Sequence, residues 1–121
     1  MKMLVVLFYL FLSSAYANTV SGSVEFIGAA PKGVLYIFAR KAASPMPMPL
    51  AVKRIQNPRF PVAFSLSSRD AMVQDTPFTG PFTIVARLSP SGDPLDKTGV
   101  EVKTDKPIEL GASNVKLVLK P

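Results

Sequence analysis

The chain has 121 residues, with 14 Lys and Arg against 8 Asp and Glu, a formal charge of +6. It holds neither histidine nor cysteine. This excludes Ser-His-Asp and Cys-His nucleophilic systems, imidazole or thiolate zinc sites, disulfides and haem attachment through C-x-x-C-H.

Residues 1–17 carry an export signature. Lys2 gives a positive start, Met3 to Leu12 is an unbroken apolar run, and Ala15-Tyr16-Ala17 is an A-x-A cleavage site. The apolar run is about half the roughly 20 residues a spanning helix needs. A signal peptide over 1–17 is therefore expected, leaving one domain over 18–121, periplasmic or secreted, with no transmembrane helix after cleavage. A domain of about 100 residues can close a single core. Without cysteine, packing and hydrogen bonds alone must hold it. The bases are scattered and form no long run, so they read as a solvated surface, and no nucleic-acid partner is expected.

Val20, Gly22, Val24 and Phe26 alternate with polar residues, the period of a half-buried strand. Gly28 to Gly33 is turn chemistry. Leu35, Ile37 and Ala39 then share one face, and Tyr36, Phe38 and Arg40 the other. A strand apolar on both faces is expected at the centre of its sheet. Ala42 to Pro49 has proline at every second position from Pro45, so it is extended or polyproline-like and not a central strand. Strand composition resumes over Leu50 to Ile55, and Asn57-Pro58 turns the chain.

Phe60, Val62, Phe64 and Leu66 form the next inward face, with Pro61 suited to a strand start or an edge. Ser68 to Met72 allows one helical turn before Pro77 and Gly80 stop it. Phe82, Ile84, Ala86 and Leu88 make another inward face, closed by the loop Ser89-Pro90-Ser91-Gly92-Asp93-Pro94. Val100 and Val102 suggest a short strand, and Val115, Leu117 and Leu119 alternate with Lys116 and Lys120 in the last one. The expectation is an all-β fold, an immunoglobulin-like antiparallel β-sandwich of about seven short strands.

Six collinear segments carry a family likeness. They are S-G-S-V (Ser21 to Val24), Y-I-F-A-R (Tyr36 to Arg40), M-P-L-A-V-K-R (Met48 to Arg54), F-P-V-A-F-S-L (Phe60 to Leu66), D-A-M (Asp70 to Met72) and I-V-A-R-L-S-P-S-G-D (Ile84 to Asp93). Taken in this order they resemble the immunoglobulin-like domain at the C-terminal end of CycH-type cytochrome c biogenesis proteins, the TPR-containing subunits of the bacterial haem-ligation system. The likeness covers nearly all of residues 18–121, and M-P-L-A-V-K-R is its most specific element. In that family the domain follows membrane helices and TPR repeats, and the TPR part is associated with holding apocytochrome. The resemblance implies a periplasmic module of cytochrome c maturation, and does not carry apocytochrome binding over to this chain.

Two constellations remain as candidate sites. Arg40, Arg54 and Arg87 stand at or near strand ends. If those ends meet they can clamp a carboxylate or haem propionate; otherwise they pair with Asp70, Asp93 or Asp96, or cap the sheet against solvent. Met46, Met48 and Met72 offer thioethers of the kind Cu(I) selects, against the alternative that they fill gaps beside the core. No spacing builds a catalytic arrangement, and Glu25, Glu101 and Glu109 lie far apart in sequence. The reading is a non-enzymatic accessory module with no cofactor and no metal, acting by contact with a protein partner, with cytochrome c maturation components the class implied. The residues expected at that contact are Arg40, Met48, Pro49, Arg54 and Arg87. The alternatives are a Cu(I)-binding methionine loop and a generic scaffold or adhesion domain.

Overall fold

The computed structural model describes residues 18–43, 48–72 and 77–121. The expected signal segment, Pro45, Met46 and Pro47 lie outside the described residues. Among those described, seven strands run in order: β1 (Val20–Phe26), β2 (Val34–Lys41), β3 (Pro49–Gln56), β4 (Val62–Leu66), β5 (Phe82–Ser89), β6 (Val100–Lys103) and β7 (Val115–Leu119). A single 3₁₀ turn, Ser68–Asp70, follows β4.

The strands form two sheets, β4-β1-β7 and β3-β2-β5-β6, an all-β sandwich of the immunoglobulin-like kind. The apolar alternation builds it. Leu35, Ile37 and Ala39 of β2 and Ile84, Ala86 and Leu88 of β5 project to one side of the four-stranded sheet. There they meet Val20, Val24, Val62, Phe64, Leu66, Val115, Leu117 and Leu119 of the other sheet in one core. Burying aliphatic side chains is worth about 1.5–3 kcal/mol each, and here it replaces the staples a cysteine-free chain lacks.

The two doubly apolar strands, β2 and β5, pair with each other and stand at the centre of their sheet. Strand starts follow the prolines. Residue 61 stays outside β4, whereas Pro49 opens β3, an edge strand that can spare an N–H at its first position.

One pairing departs from the antiparallel expectation. β7 runs parallel to β1, with Gly22 opposite Val115 and Phe26 opposite Leu119. The cause is a sheet switch. After β6 the chain pairs Ile108 with Phe82 at the edge of β5, then crosses, and the Gly111 N–H donates to Thr19 O at 2.9 Å. It thus enters the second sheet beside the start of β1 and must run alongside it.

Candidate functional site

The outer face of the four-stranded sheet collects most of the residues expected at a contact. Cross-strand register sets Arg54 of β3 beside Tyr36 of β2, Tyr36 beside Arg87 of β5, and Arg87 beside Glu101 of β6. These four form one row. Arg40 lies four residues further along β2, opposite Pro49 and Thr83 and next to a bulge. At about 3.3 Å per residue that is roughly 13 Å away. The structure therefore brings Arg54 and Arg87 to one end of the face and Arg40, Pro49 and the adjoining Met48 to the other.

At the first end the guanidinium groups are engaged. Arg87 donates from Nε to Glu101 Oε2 at 2.7 Å and from Nη1 to Pro94 O at 2.7 Å, and its Nη2 makes the ion pair with Glu101 Oε2 at 2.7 Å. Its Cζ stands 5.2 Å from the Phe38 ring centroid, a cation–π distance. The acidic partner is thus Glu101 and not Asp70, Asp93 or Asp96, because register on β6 places it there; Asp70 instead accepts from Lys53 at 3.0 Å.

Arg54 donates from Nε to Tyr36 Oη at 3.3 Å. With the Gln56 amide oxygen turned toward it, Arg54 also donates from both Nη atoms, at 3.0 and 3.1 Å. The Tyr36 hydroxyl in turn donates to Gly92 O at 2.5 Å. Tyr36, Phe38 and Val85 form a second, smaller buried cluster on this outer face.

The loop between β5 and β6 is held to this face by Tyr36 and Arg87 and is built from its own polar groups. Ser89, wholly buried, donates from its hydroxyl to Asp93 O at 2.8 Å and accepts from the Gly92 N–H at 3.1 Å. Asp96 accepts from the hydroxyls of Ser91 and Thr98, both at 2.6 Å, and from the Thr98 N–H at 2.9 Å. The Ser91 hydroxyl first, and then Thr98, hold its carboxyl well below the usual carboxylate range. Tyr36 and Ser89 were not singled out in the sequence. The available signal was a tyrosine where phenylalanine would pack equally well, followed across the sheet by a Ser-rich loop.

At the other end the side chains are open. Met48 is 61% exposed and Met72 is 58% exposed, so neither fills a gap beside the core. Met72 is drawn to the β3 edge by its N–H donating to Leu50 O at 3.1 Å and by the Ala51–Ala71 bridge. Arg40 is half-buried and has no ion-pair partner among the described residues. The described residues contain no group of three or more Asp or Glu placed to hold a metal ion, and no helix long and apolar enough to cross a membrane.

Residues 23–120 match the family model described as the cytochrome c-type biogenesis protein H Ig-like domain. The chain belongs to that family. A cytochrome c-type biogenesis protein CycH from Pseudomonas aeruginosa (strain PAO1) is 35% identical over 82 residues, which are 66% of this chain and 19% of that protein. This Ig-like domain thus corresponds to a small part of its relative's length. Among solved structures, an alternative pilotin from the type II secretion system of Vibrio cholerae is similar with a TM-score of 0.53. The match covers 85% of this chain and 95% of the pilotin at 16% identity, a likeness of fold alone.

Proposed function

We propose that this Ig-like domain is a non-catalytic accessory module of cytochrome c maturation that works by protein–protein contact on the periplasmic side, after removal of residues 1–17. The observation that carries the reading is the family match, which spans β1 to β7 nearly end to end. Function does not follow from fold alone, but here the likeness is one of sequence as well.

The patch formed by Arg40, Met48 and Pro49, with Met72 beside it, suits such a contact. It joins a cation without an ion-pair partner among the described residues to exposed thioethers, and flexible methionines adapt to varied partner surfaces. Arg54 and Arg87 support the same face from its far end by holding the loop over Tyr36. Crosslinking in the periplasm followed by purification of the full-length protein tests this. Recovery of haem-ligation components or c-type cytochromes is expected, reduced several-fold by Met48→Asp. Recovery of neither class, with the domain folded, overturns the proposal.

The exposure of Met48 and Met72 also favours a second reading, a Cu(I) site on thioethers. Anaerobic titration separates the two. Heat of binding that is lost in Met48→Ala supports copper; a trace equal to buffer leaves the contact role.

A further inference from the structure

On the side away from β3 and β4 the sandwich ends in β6 and β7, which approach each other across the two sheets. Among the described residues, β7 pairs only with β1, and β6 only with β5. These two single-sided edges, one from each sheet, line a groove of about 670 Å³. The Ile27 N–H donates to Leu119 O at 2.9 Å, so Leu119 turns its backbone groups toward β1. By the two-residue period, Val115 and Leu117 do the same, and the N–H and C=O of Lys116 and Val118 point into the groove. Unlike β3, whose edge is bridged by Ala71, β7 has no covering segment among the described residues, and it contains no proline.

The groove's chemistry has a sign. Lys103, Lys106 and Lys120 line it, are exposed, and have no ion-pair partner among the described residues. Of the acids present, Glu101 is committed to Arg87, and only Asp105 is left to offset them. Between the cations, Val102 and Ile108, half-buried and packed on the core, give an apolar floor.

We propose that this groove takes an extended acidic segment of a partner protein, which adds as a fourth strand on the free edge of β7. Main-chain bonds to Lys116 and Val118 supply the attachment, and side-chain alternation the selectivity, with acidic residues on the outer face, that of Lys116 and Lys120, and apolar ones on the inner face toward Val102 and Ile108. Lysines on an edge strand commonly guard against self-pairing. They do so here as well, since two copies of this edge repel each other, and the same charge admits an acidic strand. The site is independent of the Met48 patch and of the biogenesis role.

The test uses protein purified from cells expressing the full chain and ¹⁵N-labelled for amide NMR. The probe is a blocked octapeptide alternating Glu and Val, compared with its Lys–Val counterpart and with a version N-methylated at alternate amides. Shifts confined to the amides of β6, β7 and residues 104–106 are expected with the acidic peptide. N-methylation should weaken binding about tenfold or more, the loss of roughly one hydrogen bond or more. The Lys106→Glu, Lys120→Glu double variant leaves the core untouched. It should bind the acidic peptide about tenfold more weakly and shift preference to the Lys–Val peptide. Four outcomes overturn the proposal: no shifts at millimolar peptide, shifts mapping elsewhere, indifference to N-methylation, or the same shifts produced preferentially by phosphatidylglycerol vesicles.

Discussion

Tyr36 ties the sheet to the loop between β5 and β6. Its hydroxyl donates to Gly92 O and accepts from Arg54 Nε, so Tyr36→Phe removes two bonds without opening a cavity. The expected cost is about 1 kcal/mol, with the half-buried Gly92 carbonyl losing a partner. Urea unfolding should show a lower midpoint at unchanged slope, and amides from Gly92 to Asp96 should exchange faster; unchanged exchange there would mean the loop is held by other contacts. The loop also has a pH signature. The Asp96 carboxyl is held below its ordinary value by Ser91 and Thr98, so its contribution is complete above the unfolded pKa of about 3.9 and is lost as pH falls below that toward the folded value. The Thr98 amide should therefore keep its protection from pH 7 to pH 5 and lose it only below about pH 4, and Asp96→Asn should abolish that step. Loosening that begins near pH 6 would assign the transition to some other group.

At the level of the element, the strands were legible and their pairing was not. Alternation at Leu35, Ile37, Ala39 and at Phe82, Ile84, Ala86, Leu88 marks a buried face wherever the strand ends up, because side-chain period depends only on local backbone geometry. The same residues do not say which strand lies alongside. The parallel β1–β7 pair follows from a sheet switch between Ile108 and Gly111, and the choice of Glu101 for Arg87 follows from β5–β6 register. Both are long-range consequences that side-chain alternation does not encode. Of the candidate site, the arginines and methionines were visible as residue types, but their division between two ends of one face depends on that register. Gly22 is where the hidden pairing surfaces in sequence: a Cβ there would stand 1.8 Å from Val115 O, so the backbones of β1 and β7 meet too closely for any side chain. Gly22→Ala should cost about 3 kcal/mol, at the upper end for overpacking, whereas Ser21→Ala next to it should stay within about 0.5 kcal/mol. Equal unfolding midpoints for the two variants would show that β7 does not approach β1 in this way.

For the molecule as a whole, stability rests on bringing the last strand to the first. β7 supplies Val115, Leu117 and Leu119 to the core, all buried against residues of both sheets, and without it β1 becomes an edge and the inner faces of β5 and β6 lose their cover. At about 1.5–3 kcal/mol per buried aliphatic side chain, those three contribute roughly 5–9 kcal/mol, comparable with the ~5–15 kcal/mol that holds a typical domain. No disulfide can offset the loss in a chain without cysteine. Ending the chain after Ser113 should therefore unfold the domain rather than trim it: far-UV circular dichroism should lose its β-sheet minimum, and amide resonances should collapse to narrow dispersion. A truncated chain that still unfolds cooperatively would mean the sandwich closes on six strands. The same dependence gives the open groove a thermodynamic readout. A strand that adds to β7 binds only the folded chain, so it raises the melting temperature with concentration, by about 2.7 kcal/mol of stability at one hundred times its Kd. In the Lys106→Glu, Lys120→Glu variant, the acidic peptide should lose most of that effect.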